Sequence, residues 1–486
     1  MFRVMETIKS ISNMNEALEA RFAAQMQVNL HLTRALVSFQ ANKREQGFRW
    51  FKYKEGFSAA LIHYLLDYLG IRSGTVLDPF AGAGTTLFVA SQRGLASTGI
   101  ELLPIGQEII EVRKLTLLDR RRGFVDDLKR WHKAKPWKRS GHSHPFPHLR
   151  ITMGAFSKEN EALLGRYLAE IDREGSEATR RLLRFAALCI LEQISYTRKD
   201  GQYLRWDYRS GRKQGVKPFD KGKIGSFDEA IDAKLSEILG DLEGDIGLLD
   251  LFPTSPNSGQ IDVAGGSCLE ELPKLSGRYF DALITSPPYC NRYDYTRTYA
   301  LELALLGVGE DGLKNLRQAM LSCTVENREK QSLLSLFEEN RFSCALESFR
   351  SQECLGGILQ YLDDRKAAQQ LNNNGIPRMV RNYFWEMTLV IFECARILKP
   401  GAPLVMVNDN VRYEGANISV DLILSSIAES AGFNVEKIWV LPNGKGNSSQ
   451  QMGEFGREAL RKCVYIWRAP KAKPARKPSL QLAGHQ

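Results

Sequence analysis

The chain has no CxxC pair, no long apolar run and no secretory leader pattern, and each absence excludes a class of protein. Its eight cysteines, at positions 189, 268, 290, 323, 344, 354, 394 and 463, are too scattered to form a CxxC zinc or redox motif. Reduced, mostly buried thiols of a cytoplasmic protein are expected instead. The first thirty residues mix Glu6, Lys9, Glu16, Glu19 and Arg21 among apolar positions, unlike a signal peptide. Apolar runs such as 185–191 fall far short of the roughly 20 residues that span a bilayer, so no membrane partner is expected. His142, His144 and His148 lie close together, but Pro145 and Pro147 put them in a loop without a neighbouring cysteine or carboxylate. No metal is assigned to them.

What the sequence does have is length and clustered positive charge. Its 486 residues exceed one ordinary domain of about 100–200 residues. Sixty-six basic residues stand against 56 acidic ones, a net +10. Residues 111–150 hold twelve basic and four acidic side chains; residues 198–223 hold nine and three. Tyr203, Trp206, Tyr208 and Phe219 are interleaved in the second stretch. Arg468, Lys471, Lys473, Arg476 and Lys477 make the C-terminal end basic as well. Basic side chains with aromatics among them suit a phosphate backbone and its bases, the alternative being a solvated loop.

The apolar periodicity predicts a helix over 7–40 and another over 56–69. A strand at 75–77 then runs into Asp78-Pro79-Phe80-Ala81-Gly82-Ala83-Gly84-Thr85-Thr86, followed by a helix and a second strand, 97–100, ending at Glu101. A helix is expected at 104–118, then an irregular, charged stretch to about 258. Strands return at 260–263 and 279–285, the second ending in Ser286-Pro287-Pro288-Tyr289. Residues 306–378 read as helical with nearly balanced charge. Helices at 382–398 and 419–431 and strands at 403–407, 435–440 and 463–467 complete an α/β pattern. The tail from 469 reads as disordered.

Gly82 and Gly84 stand where a strand feeds a helix, so backbone can approach a nucleotide closely. Asp78 and Glu101 end successive strands, where an acid typically accepts from ribose hydroxyls. Neither GxGxxG nor a Walker lysine is present, which favours a nucleoside without pyrophosphate. A plain tight turn is the bland alternative. In Ser286–Tyr289 two prolines fix the backbone and remove two donors. Carbonyl oxygens and the Ser286 hydroxyl then form an acceptor array suited to an exocyclic amino group, with Tyr289 offering a flat face. The alternative is a proline turn with a packed tyrosine.

These two strings resemble the cofactor and catalytic motifs of the DNA amino-methyltransferases, which methylate cytosine N4 or adenine N6 with S-adenosylmethionine. The likeness spans most of 48–103 and 260–468 and includes the Lys399-Pro400-Gly401 turn before a strand. It implies a Rossmann-like α/β fold of class I type: a seven-stranded sheet flanked by helices, its last strand antiparallel, interrupted by a long target-recognition insertion. The implied organisation is a helical segment 1–47, a first methyltransferase part 48–118, the basic insertion 119–258, a second part 259–468 with a helical insertion 306–378, and the tail 469–486. Phe80, Gly82, Gly84 and Thr85 would line the cofactor, and Glu101 would bind its ribose. Residues 51–57 would lie against its methionine end, with Lys54 toward the carboxylate. Ser267 stands where many members carry an acid near the cofactor adenine; Glu270 could replace it. Ser286, Pro287, Pro288 and Tyr289 would hold the flipped base.

Serine before Pro-Pro-Tyr points to cytosine N4 rather than adenine N6. Cys290 follows a tyrosine, not the proline of ring-carbon enzymes, so a packed thiol is expected. Double-stranded DNA is the implied partner, with room for a separate cognate restriction endonuclease. An RNA methyltransferase and a catalytically silent DNA-recognition subunit are the rival readings.

Overall fold

Short β-branched and apolar runs form strands here because helices cover both of their faces, as a parallel sheet requires. The computed structural model describes residues 2–54, 56–118, 124–200, 203–215, 217–249, 258–442 and 460–471. Arg120, Arg121 and Arg122 and the tail basics from Lys473 onward lie outside these residues.

The first stretch contains α1 (Phe2–Arg21), β1 (Met26–Val28), α2 (Ala59–Tyr68), β2 (Thr75–Asp78), α3 (Thr85–Gln92), β3 (Ala96–Glu101) and α4 (Pro104–Leu118). Next come α5 (Phe124–Ala134), α6 (Lys158–Asp172), α7 (Glu177–Ile194), the hairpin β4 (Thr197–Asp200) and β5 (Tyr203–Trp206), and α8 (Phe227–Leu249). The chain then returns to the sheet with β6 (Ile261–Gly265), α9 (Cys268–Glu271), β7 (Ala282–Thr285), α10 (Tyr295–Thr298) and α11 (Ala300–Leu305). Helices α12 (Glu310–Ala319), α13 (Glu339–Arg350), α14 (Glu353–Ala367) and α15 (Ile376–Ile397) follow. The last elements are β8 (Pro403–Asp409), β9 (Val411–Tyr413), β10 (Ala416–Ile418), α16 (Val420–Ser430), β11 (Asn434–Val440) and β12 (Lys462–Arg468).

The main sheet has eight strands, in the order β1-β11-β12-β8-β7-β2-β3-β6, where seven were expected. The helix predicted over 7–40 stops at Arg21, and Met26–Val28 pairs in parallel with Ile438–Val440 as an additional edge. Only β12 runs antiparallel to its neighbours β11 and β8. The chain builds β2, β3 and β6 outward in one direction and then returns to place β7 on the other side of β2. That reversal opens a crevice at the carboxyl ends of β2 and β7, where open α/β sheets hold ligands.

One face of the sheet is covered by α2 and α3, whose Leu61, Leu65, Leu87 and Val89 pack on Val76, Ile284, Val405 and Val464. The other is covered by α15 and α16, with Met387, Ile391, Leu424 and Ile427 against Leu77, Leu283 and Leu404. The stretch expected to be irregular instead carries helices with a core of their own. Leu182, Phe185, Leu188, Ile231 and Leu235 are buried there, joined by Tyr299 and Leu303 from beyond β7. Ser157 and Ser176 cap α6 and α7 by accepting from the amides of Asn160 and Thr179.

Asn160 locks that core. Its side chain donates to the Ile194 and Gly225 carbonyls at 2.9 and 3.0 Å and accepts from the Phe227 amide at 2.9 Å. Asn160→Ala leaves three buried backbone groups unpaired and should cost about 3 kcal/mol, read as a lower urea midpoint.

Candidate active site

The crevice is closed at its base by one carboxylate. Asp78, at the end of β2, is 1 % exposed. Its Oδ1 accepts from the Thr285 hydroxyl at 2.6 Å and the Phe80 amide at 3.1 Å, and its Oδ2 from the Thr86 hydroxyl at 2.8 Å. It therefore joins β2, β7, the glycine turn and α3. Burial pushes its carboxyl up to about 6, against the three donors, which favour the ionised form.

Above it, Gly82 and Gly84 take φ of +55° and +74°, a region that side chains rarely enter. A Cβ on Gly84 would also meet Ile110 at 2.8 Å, and one on Gly82 would lie 3.1 Å from the Tyr53 ring. Glu101, 6 % exposed, grips this turn from β3. Its Oε2 accepts from the Gly82 amide at 2.7 Å and its Oε1 from the Leu103 amide at 2.8 Å. Gly106 makes the approach feasible, since a Cβ there would come within 2.7 Å of the Glu101 carboxyl and of the Gly82 carbonyl. Its place in the first turn of α4, five residues after an acid that ends a strand, was the available sequence signal.

A cavity continuous with open solvent, together about 850 Å³ of empty space, lies here, lined by Tyr53, Phe57, Phe80, Gly82, Thr85, Glu101, Ser267, Ser286, Pro288 and Tyr295 among others. The glycine turn and the Pro-Pro-Tyr turn, some 200 residues apart in sequence, thus share one space. Not every expected residue reaches it. Asp78 and Gly84 lie beneath the wall. Pro287 and Tyr289 lie behind Ser286 and Pro288, and Tyr289 is only 5 % exposed. Ser267 is in the wall but donates its hydroxyl to the Ala319 carbonyl at 2.7 Å, and Glu270 is exposed outside it.

Lys54 departs most from expectation. Its ammonium donates to the Lys199 carbonyl at 2.7 Å, away from the cavity wall. The aromatic rings around it hold the position instead: Tyr53 stacks on Tyr299 at 5.2 Å, and Tyr299 donates no space to solvent, being fully buried. Beside Tyr299, the buried Lys199 ammonium pairs with Glu302 on α11 and lies 4.8 Å from the Phe51 and Tyr299 ring centres.

Ser286 donates to the Val407 carbonyl at 3.1 Å and lies 3.0 Å from the Tyr289 hydroxyl. The Lys462 ammonium reaches that hydroxyl at 3.2 Å and Asp409 at 2.8 Å. Cys290 is fully buried, and burial raises its thiol pKa, which keeps it protonated.

The two basic stretches differ in kind. In the first, Arg113 is 6 % exposed and donates to the Gly47 and Ala83 carbonyls while its guanidinium lies over Phe48. Lys129, Arg130, Lys135 and Lys138 are ion-paired with Glu243, Glu174, Asp232 and Asp228. In the second, Asp207 is fully buried and accepts from the Arg209 and Lys221 amides at 2.9 and 2.6 Å, which shapes the loop after the β4–β5 hairpin. Arg198 and Arg205 lie over the Phe219 ring at 5.2 and 4.1 Å, and Arg212 over Trp206 at 3.5 Å. Lys213, Lys217 and Lys223 are exposed, and β5 packs on α10, just beyond the Pro-Pro-Tyr turn.

Comparison with known proteins bears directly on this site. A family model described as DNA methylase matches residues 27–111, which carry the glycine turn and Glu101. The chain is 55 % identical over 464 residues to the type II methyltransferase M.AvaI of Nostoc sp. (strain PCC 7120), covering 95 % of each chain. It is 43 % identical over 457 residues to the type II methyltransferase M.BsoBI of Geobacillus stearothermophilus, covering 90 % of this chain and 88 % of that one. The chain belongs to the DNA amino-methyltransferase family. No solved structure matches it. Enzymes of this family draw the methyl group from S-adenosylmethionine, and the cavity fits that cofactor. The Glu101 carboxylate has lone pairs left for ribose hydroxyls beside its two amide donors. Phe80, Tyr53 and Phe57 provide apolar walls for a base and a thioether-like chain, and nothing at Gly82 obstructs them. Among the described residues, no helix is long and apolar enough to cross a membrane.

Glu101 should also reveal itself through pH. Burial pushes its carboxyl up to about 8 from 4.5, while the Leu103 and Gly82 amides pull the other way. The folded chain then holds a proton that the unfolded chain releases. This contribution is complete below about pH 4.5 and is lost as pH rises through about 8. The melting temperature of the unliganded wild type should therefore fall relative to that of Glu101→Gln over this range. A pH-independent difference would contradict the assignment.

Proposed function

We propose that this methyltransferase modifies double-stranded DNA at a short specific sequence, transferring methyl to an exocyclic amino nitrogen, that of cytosine N4. The observation that carries the reading is the meeting of Ser286 and Pro288 with Glu101 and the glycine turn in one cavity.

When bound, S-adenosylmethionine supplies an electrophilic methyl group on a sulfonium. The chain's task is to present a poor nucleophile to it, because the lone pair of an aromatic amine is delocalised into its ring. The Ser286 hydroxyl oxygen, in the cavity wall, is the first acceptor for the two N–H groups; the Pro287 carbonyl, just behind that wall, would be the second once the base presses against the turn, and together they would favour a more tetrahedral nitrogen. The rigid Pro-Pro backbone keeps both acceptors fixed, so the gain is orientation and preorganised electrostatics. Reaching this pocket requires the base to leave the duplex stack, at a cost of a few kcal/mol. Pro288 and the aromatic side chains near the turn would receive it. Glu101 would hold the ribose hydroxyls and Phe80 one face of the cofactor adenine, with Ser267 at its edge. The turn opens on serine, which is commoner in N4-cytosine members of the family, where N6-adenine members more often carry aspartate or asparagine; this supports cytosine over adenine.

The hairpin β4–β5 and its following loop are the surface we assign to DNA. Their Lys213 and Lys217 stand apart from the acidic α8 that neutralises Lys129, Lys135 and Lys138, Lys223 touches that helix only through an exposed contact with Glu229 at 3.5 Å, and the hairpin adjoins the catalytic turn. Replacing Lys213, Lys217 and Lys223 with glutamine should weaken DNA binding and lower the slope of log affinity against log salt by about one unit per lysine. An unchanged slope would move the DNA elsewhere.

Base identity is decided by expressing the chain in a host whose DNA carries no methylation and sequencing with a method that separates N4-methylcytosine from N6-methyladenine. The first mark is expected at one short motif; adenine marks alone would overturn the cytosine assignment.

A further inference from the structure

Behind the cavity wall, four polar groups form a chain whose direction is fixed at one end. Lys462 opens β12, and the antiparallel register sets it directly opposite Asp409, the last residue of β8. Asp409 accepts from its ammonium at 2.8 Å. The same ammonium is 3.2 Å from the Tyr289 hydroxyl and 4.9 Å from the Tyr289 ring centre. The Tyr289 hydroxyl is 3.0 Å from the Ser286 hydroxyl, which is 3.1 Å from the Val407 carbonyl.

Valence orders these contacts. An ammonium only donates, and a carbonyl only accepts. Lys462 therefore donates to the Tyr289 oxygen. The Tyr289 proton is then directed at the Ser286 oxygen, and the Ser286 proton at Val407. Each hydrogen in the chain points away from the charge, an arrangement that a cation at one end reinforces. The consequence falls on Ser286. Its single proton is committed to Val407, so what it can offer the cavity is a lone pair. An amino group arriving there has only N–H bonds to present and meets an acceptor. Without the Tyr289 proton holding its oxygen from the other side, the Ser286 hydroxyl would be free to rotate off Val407, and a proton turned toward the incoming N–H groups would repel them.

We propose that Lys462, acting through Tyr289, is a positioning residue that fixes Ser286 as a hydrogen-bond acceptor for the amino group of the target base. The inference rests on the amino-methylation reading given above. It gives Tyr289, which lies behind the cavity wall, a duty for its hydroxyl: it relays the direction set by Lys462. Asp409 keeps the ammonium in place from the solvent side and neutralises it, so that the positive charge orders the hydrogens without repelling a cationic cofactor.

The test is a double-mutant cycle on the full-length chain, with Lys462→Met, Tyr289→Phe, the pair together, and Lys462→Arg as the conservative variant. Tyr289→Phe keeps the ring and removes only the hydroxyl. Single-turnover methylation of a duplex that carries the site is measured alongside cofactor binding by calorimetry. Both single variants are expected to bind cofactor as the wild type does and to methylate roughly 10- to 100-fold more slowly. The pair should be no slower than either alone, because both break the same chain. Lys462→Arg, which also only donates, should recover most of the rate. Wild-type rates in Lys462→Met, or losses that multiply in the pair, would overturn the proposal. A wild-type chain that leaves every amino group unmethylated would instead sink the underlying reading, which is a distinct result. If Lys462→Met is unstable, Tyr289→Phe against Lys462→Arg decides: equal losses in both would also overturn the relay.

Discussion

Everything in the site hangs on the Asp78 carboxylate. Four pieces of chain meet there: the end of β2, the start of the glycine turn, the first turn of α3 through Thr86, and the end of β7 through Thr285. A buried acid is costly, and its pKa is displaced upward accordingly. The three donors offset that cost only when both strands stand side by side. Asp78 thereby ties the cofactor half of the crevice to the half that carries Pro-Pro-Tyr, although a large inserted region separates them in the chain. Glu101 repeats the device one strand further out, using backbone amides in place of hydroxyls.

Charge in this molecule has two uses that composition alone does not separate. Arg113 is a packing element, stacked on Phe48 and spent on two carbonyl contacts. Lys129, Lys135 and Lys138 brace α5 and the segment after it against α8 through solvent-exposed pairs, which neutralise charge more than they stabilise. The loop shaped by Asp207 keeps Lys213, Lys217 and Lys223 at the surface, while Lys221 turns inward and donates to the Glu192 and Ser195 carbonyls. Arg212 lies on the Trp206 ring, which holds its guanidinium in place without cancelling its charge, whereas Arg209 is paired with the buried Asp207 and Arg205 with Asp200. The net +10 of the sequence therefore overstates one region and understates another.

The parallel strands around the crevice were legible because each is a short apolar run ending in a motif whose residue types are restricted by backbone geometry. Gly82 and Gly84 adopt a left-handed conformation, and the two prolines remove donors; such constraints are written in the residue names. Less legible was what depends on distant partners. Met26–Val28 has no strand-like pattern, and it is a strand only because the β11 edge is there to pair with it. The helices of the insertion were hidden because their apolar faces pack on each other and on α11, with long charged side chains along the outside. Lys54 looked free in the sequence, but the fold brings the Lys199 carbonyl to its ammonium. Lys462 gave no signal at all, since its meaning comes from the reversed register of β12.

The pair formed by Lys199 and Glu302 has a mechanical consequence. Lys199 sits on the hairpin assigned to DNA, and Glu302 on the helix that follows the catalytic turn, with two aromatic rings around the ammonium. Sliding the hairpin would leave a buried charge without its partner, a loss of several kcal/mol. The hairpin and the turn are in effect one rigid gauge. If one reads the sequence and the other receives the base, the offset between recognised and modified nucleotides is a fixed length of the protein, set before any DNA arrives.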